Sequence, residues 1–261
     1  LPNAYTYSPS AVSGLLASTA TKVGAYAFIR VIFTIVGVDF AFGLLHTDTA
    51  LMVSAGAAII IGAWLALKQT NLKKMLAYSS IGQIGYITLG FSLNNVNGLT
   101  ASIIHLFNHA LTKGSMFMAL GVVVYRLGNA RITDVRGLGR QLPVTMGVFV
   151  VGGLGLIGVP LTAGFISKWY LVTGAIQAGR YEMAAVVLVG SILALMYVWR
   201  VVEQIYFGKR DENAPKLREA PLTMLVPMVL LAAASIYFGI DARATSWVSQ
   251  TAAELLLGVK L

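Results

Sequence analysis

Six basic side chains stand where the sequence gives a basic group no easy contact with water. The run His105-Leu106-Phe107-Asn108-His109-Ala110-Leu111-Thr112-Lys113 spaces two imidazoles and an amine four residues apart. On a helix such residues stack along one face with a slow drift. An imidazole titrates near neutral pH and has two ring nitrogens, one to receive a proton and one to donate it. A column of His105, His109 and Lys113, with Asn108 and Thr112 beside it, can therefore pass protons along hydrogen-bonded water. Lys22 lies in Ser18-Thr19-Ala20-Thr21-Lys22-Val23-Gly24, and Lys168 in Gly164-Phe165-Ile166-Ser167-Lys168-Trp169-Tyr170. Lys73 stands at a segment entrance, in Asn71-Leu72-Lys73-Lys74-Met75-Leu76-Ala77-Tyr78. A lysine shut away from water becomes a titratable group instead of a permanent charge. Each residue also has a structural reading. Lys22 would pair with a carboxylate, Lys168 would snorkel beside Trp169 and Tyr170, Lys73 would anchor at the interface, and the histidines would only hydrogen-bond. A chelated metal is a further rival, since His at i and i+4 can bind one, although the zinc-protease pattern needs Glu where Leu106 stands.

The elements that must position these groups are membrane helices. Hydrophobic residues make up 57% of the 261 and charged residues 11%, against about 25% charged in soluble domains. Mean hydropathy is +0.77. Eight apolar segments, at about 11–37, 49–67, 75–93, 98–127, 143–160, 162–178, 183–207 and 221–240, are each long enough to cross roughly 30 Å of hydrocarbon. Polar breaks such as Asn94-Asn95-Val96-Asn97 separate most of them, and no soluble domain fits between them. The fold class expected is all-α and polytopic. Its one transmembrane domain divides into 1–93, 98–207 and 221–261.

Gly158-Val159-Pro160-Leu161-Thr162-Ala163-Gly164 separates the fifth and sixth segments without a charge. Pro160 removes a backbone donor, and Gly158 and Gly164 loosen the ladder on either side. The stretch is either a tight hairpin or a break inside one discontinuous helix, as transporters use at membrane depth. With a single crossing, Lys68, Lys73, Lys74, Arg126, Arg131, Arg136, Arg140, Lys209, Arg210, Lys216 and Arg218 fall on one side. With two, the last four move across and the charge bias weakens.

A charge at the bilayer centre costs about 2.5–3.5 kcal/mol or more on insertion scales, so the buried bases need partners, water, or loss of the proton. Acids within the segments are scarce. Glu203 is the clear one, and Arg200 one turn before it predicts an i, i+3 ion pair. Cysteine is absent, so neither a disulfide framework nor a thiolate nucleophile exists. The net charge of +9 sits mostly in loops between apolar segments, a membrane-protein pattern that offers nucleic acid no exposed basic face. No cofactor motif is present. The chain opens with Leu1-Pro2-Asn3 and lacks the basic start of a signal peptide, which predicts a processed terminus or part of a longer chain.

At these residues the chain resembles the antiporter-like membrane subunits shared by Mrp-type sodium/proton antiporters, respiratory complex I and membrane-bound hydrogenases. The resemblance rests on Leu1-Pro2-Asn3-Ala4 with Pro9, on Lys22 to Arg30, on Asn71 to Tyr86, on His105-x3-His109-x3-Lys113, and on Gly158 to Lys168. Residues 179–261 carry hydropathy alone. The resemblance implies an inverted-repeat fold of about fourteen helices, with this chain as the C-terminal part and the earlier helices supplied by another chain. It also implies that Lys22 is the central lysine of a first half-channel, paired with a glutamate on the earlier helices. Lys73 becomes the linking lysine, His105, His109 and Lys113 carry protons onward, and Lys168 is terminal. Lys at 168, where some members have Glu, is similar to the Mrp D-type members. The function implied is cation/proton antiport in a multi-subunit bacterial inner-membrane complex. The alternatives are a proton-pumping subunit of NADH:quinone oxidoreductase or a hydrogenase, and a transport-inactive scaffold. No enzymatic chemistry, cofactor or metal is expected, and the partners are lipid and other hydrophobic subunits.

Overall fold

Hydrocarbon offers no hydrogen bonds, so each membrane segment must satisfy its own backbone, and a helix does so within one segment. The computed structural model describes residues 1–210 and 216–258, and their regular structure is helical apart from an isolated bridge, Asn71 to Arg131. Residues 259–261 of the expected tail lie outside the described residues. Helix α1 is Pro2–Tyr7 and α2 is Ser10–Leu15. A π-helical stretch, Leu16–Ala20, joins α2 to α3, Thr21–Arg30, and a second one follows over Val31–Val36. Then come α4 (Thr47–Leu67), α5 (Leu72–Ser92), α6 (Val96–Leu127), α7 (Pro143–Ile157), α8 (Ala163–Gln177), α9 (Tyr181–Phe207), α10 (Leu222–Ile240) and α11 (Arg243–Leu257). The polar breaks start helices: Asn71 Oδ1 accepts from Lys74 N (3.1 Å) and Asn95 Oδ1 from Gly98 N (2.7 Å), each capping a first turn.

Helix pairs approach closely where side chains are small, since packing and not the hydrophobic effect joins helices in lipid. In the α4–α5 pair, a Cβ on Gly62 would lie 2.7 Å from Gly82 N and one on Gly85 2.9 Å from Ala55 O. Any larger residue there would force the two backbones apart.

The alternatives left open at residues 158–164 are separated by what lies along α6. Proceeding down α6, Gly98 meets Gly174, His105 meets Ser167, Asn108 meets Ala163, Thr112 meets Gly155 and Met116 meets Gly152. The partner number falls steadily as the α6 number rises. Only one antiparallel traverse does this; a hairpin would double back. Segments 143–160 and 162–178 are thus α7 and α8, the two halves of one discontinuous helix. Helix α7 ends at Ile157, α8 begins at Ala163, and Gly164 sits in the first turn of α8. In the break, Gly158 has φ +85° and Leu161 φ +71°, a left-handed conformation that costs a non-glycine residue free energy.

The single crossing gathers the basic loops at one end. Leu72 N donates to Ala130 O, Ile132 N to Thr70 O, and Gly137 N to Gln204 O. Leu217 N donates to Gln141 Oε1 and Arg126 Nη2 to Glu219 O. At the other end Asn95 Nδ2 donates to Gly174 O and Asn97 Nδ2 to Gln177 Oε1.

The last apolar segment forms α10, which stops part-way along its neighbours. Leu231 of α10 packs on Gly114, Ser235 lies beside Gly155, Phe238 stacks edge-on with Phe107, and Gly239 abuts Leu161 and Thr162. Helix α10 therefore ends level with the α7–α8 break. The chain continues as α11, whose Ala253 joins a cluster with Leu99 and Phe91. Hydropathy did not announce α11, because its polar residues repeat along one face.

Candidate proton pathway

The buried polar groups cluster where α5, α6, α8 and α9 meet. Among the described residues the buried charged side chains are all basic or imidazole: Lys22, Lys73, His105, His109, Lys113 and Lys168. No buried carboxylate accompanies them there. Four lysines in a low-dielectric interior must therefore rest on neutral acceptors, on water, or on loss of the proton.

Lys168 shows how the backbone supplies such acceptors. Its Nζ donates to Leu156 O (2.9 Å), Ile157 O (2.9 Å) and Ser191 Oγ (2.8 Å). In a continuous helix Leu156 O would accept from the N–H of residue 160, but Pro160 has none. The break thus frees the carbonyls at the negative end of α7, and Lys168 from α8 reaches back to them. Gly158 makes this possible, because a Cβ there would lie 2.8 Å from Lys168 Cδ.

His105 is engaged at both ring nitrogens, Nδ1 with Ser167 Oγ (2.8 Å) and Nε2 with Gln83 Oε1 (2.9 Å). A histidine spent this way has no nitrogen left for a metal. Its ring stacks on His109, with centroids 5.8 Å apart and planes at 14°. Both ring nitrogens of His109 are buried without a protein partner, as is Asn108 Oδ1. Polar atoms in that state call for water. Asn108 Nδ2 meanwhile donates to Ala163 O (2.5 Å) at the start of α8.

Lys113, fully buried at 0% exposure, donates to Leu76 O (2.7 Å) and to Ser79 Oγ on α5. Lys22 donates to Ala17 O, within the π-helical stretch that precedes it. That wide turn loosens the ladder and leaves a carbonyl accessible, a recurrent feature of functional sites. Lys22 lies on α3, which packs against both α5 and α6. Lys73 stands apart, in the first turn of α5, donating to Ser8 O (3.2 Å). It occupies the basic end of the α5 face that carries Leu76, Ser80 and Gln83.

The structure thus brings Lys22, His105, His109, Lys113 and Lys168 into one polar zone and leaves Lys73 at its edge. It does not form the expected Arg200–Glu203 ion pair. Arg200 Nη1 donates instead to Leu67 O (2.5 Å) and Gln69 O (3.4 Å). The C-terminal carbonyls of α4 lack helical donors and lie nearer the bundle, while Glu203 faces outward. Spacing alone did not single out Gln83, Ser79, Ser167 or Ser191. The unusual polarity of Tyr78-Ser79-Ser80-Ile81-Gly82-Gln83 was the available signal for the first two; Ser191, one hydroxyl in an apolar run, gave none.

Discontinuous helices around a buried basic column define a polytopic membrane protein of the antiporter-like class. A family model described as NADH:quinone oxidoreductase/Mrp antiporter, TM, matches residues 1–194, and the chain belongs to that family. NADH-quinone oxidoreductase subunit N of Desulforudis audaxviator is 39% identical over 252 residues, covering 92% of this chain and 50% of that protein. The D-type subunit of the Na(+)/H(+) antiporter of Bacillus subtilis is 30% identical over 261 residues, covering 98% of this chain and 51% of that protein. The chain spans about half the length of these curated relatives. Among solved structures, a chain of the Mrp complex from Dietzia sp. DQ12-45-1b superposes with a TM-score of 0.91 at 26% identity, covering 98% of this chain and 55% of that one. A chain of the archaeal membrane-bound sulfane sulfur reductase superposes with a TM-score of 0.88 at 30% identity, covering 98% and 51%.

Proposed function

We propose that this chain is a proton- or cation-translocating membrane subunit of a multi-subunit complex, and that the complex is an Mrp-type cation/proton antiporter in a bacterial inner membrane. The observation that carries the reading is the run of buried lysines and histidines held by neutral acceptors, with no buried carboxylate among the described residues. Such bases can change charge as protons arrive and leave, since no fixed carboxylate holds them ionised. Protons enter this scheme near Lys73, pass Lys22, Lys113, His109 and His105, and reach Lys168. The work is proton transfer through side chains and water, with no covalent step in this chain. Residues 1–93 form the end of one repeat and its link and 98–207 a second repeat; the C-terminal part, expected as one helix and a tail, holds two helices, α10 and α11. Other hydrophobic subunits of the complex surround the chain.

A second reading, a proton-pumping subunit of a NADH:quinone oxidoreductase, is favoured by the 39% identity to a subunit N. Purification of the native complex separates the two. Flavin and iron–sulfur subunits in stoichiometric amount identify the redox complex, and small hydrophobic subunits alone identify the antiporter. Lys113→Met in the complex, reconstituted in vesicles, tests translocation itself: proton movement at the wild-type rate, with normal yield, overturns both readings.

A further inference from the structure

Among the described residues, Lys168 is the one buried lysine with an aromatic face against it. Its Nζ lies 4.6 Å from the centroid of the Tyr86 ring. Its other contacts, two carbonyls and a serine hydroxyl, are neutral. The ionisable neighbours come from three elements: Tyr86 on α5, His105 on α6, and, beyond Tyr86, Tyr197 on α9. Helix α7 contributes backbone carbonyls, and α10 carries no Asp, Glu, Lys, Arg or His. The face of an aromatic ring is electron-rich and attracts a cation, most strongly where water is excluded. We propose that Tyr86 is a positioning residue for Lys168, its ring face serving as the counter-group that lets the amine hold a proton in the absence of a carboxylate.

The surroundings of Tyr86 fit that role. The side chain is buried at 3% exposure, so its ring is withdrawn from water and cannot swing away. Its hydroxyl occupies a notch in α9, where a Cβ on Gly190 would lie 2.4 Å from the oxygen. The next residue after that notch is Ser191, which accepts from Lys168. The ring also meets His105, with centroids 5.8 Å apart and planes at 69°. Gly190 thus leaves room for a ring that touches both the terminal lysine and the histidine column. A proton on Lys168 is favoured by the ring, and one that moves on toward His105 leaves that attraction behind. The inference rests on the transport reading for its meaning but not for its test.

The test uses the whole complex, with Tyr86 replaced by Phe, by Leu, and by phenylalanines of increasing ring fluorination, which keep the shape and weaken the ring face step by step. The protonation of Lys168 is read by competitive labelling with a membrane-permeant acylating reagent and mass spectrometry as pH is varied. Proton transport is read in parallel. Tyr86→Phe should leave the labelling midpoint in place. Tyr86→Leu should move it to lower pH by roughly one unit, and the fluorinated series should fall between in order of fluorination. A midpoint that ignores fluorination overturns the proposal, as does an equal shift in the Phe and Leu variants, which would assign the effect to the hydroxyl. If labelling shifts in order while transport is indifferent to Lys168, the Tyr86 proposal stands and the transport reading fails.

Discussion

Replacing Lys168 separates two roles that the structure gives it. The amine caps the broken end of α7 and, in the proposed function, also carries the proton. Lys168→Met removes all three donors and leaves Leu156 O, Ile157 O and Ser191 Oγ without them. Hydrogen bonds between membrane helices average about 0.6 kcal/mol and reach about 1.7. Three together are therefore worth about 2 kcal/mol and at most about 5. A domain stable by about 5–15 kcal/mol survives that loss in lowered yield and thermal midpoint. Lys168→Gln keeps two N–H donors of an amide but cannot titrate. Stability should thus follow wild type, then Gln, then Met, while proton movement drops at least tenfold in both variants. The assays are complex yield, the thermal midpoint of the purified complex, and pH-gradient formation in proteoliposomes. Wild-type transport in Lys168→Gln would remove Lys168 from the path. An unchanged thermal midpoint in Lys168→Met would show that the α7 carbonyls do not depend on it.

Lys113→Met should cost less stability than Lys168→Met, because Leu76 O still accepts from the hydroxyls of Ser79 (2.9 Å) and Ser80 (3.0 Å); transport should nonetheless fall at least tenfold, and equal thermal losses in the two variants would contradict this account. Gly164→Ala should disrupt the join of α7 and α8, since its Cβ would stand 1.9 Å from Gly155 O; normal yield and melting would mean that the break reorganises freely. Glu219→Ala should lower the thermal midpoint by the equivalent of about 1–2 kcal/mol, because its carboxylate accepts from Val144 N (2.7 Å), Thr145 N (3.1 Å) and Thr145 Oγ1 (2.5 Å) at the start of α7. The chain has no native cysteine, so single cysteines report sidedness cleanly. Arg131→Cys should react with an impermeant maleimide from the cytoplasmic side and Ala178→Cys, just past α8, from the opposite one; labelling of both from one side would refute the single crossing of 143–177.

Much of this protein was legible in its sequence because the bilayer is a simple solvent. Apolar runs of sufficient length had to become helices, and α4, α5, α6 and α9 fall close to the segments read from hydropathy. Spacing of four put His105, His109 and Lys113 on one face of α6 for the same local reason. Pro160 between two glycines marked a weak point in the ladder, since a missing N–H is a property of one residue. Tertiary structure had to decide whether that weak point was a turn or a break, because the outcome depends on which α6 residues lie alongside. It also redirected Arg200, whose charge found unpaired α4 carbonyls nearer than Glu203. Gln83, Ser167 and Ser191 became partners of the column only by packing, since no local pattern ties a serine on α9 to a lysine on α8. The first part of the site is a matter of which residues the chain contains and how far apart they are in it; the second is a matter of which helix faces end up opposite one another.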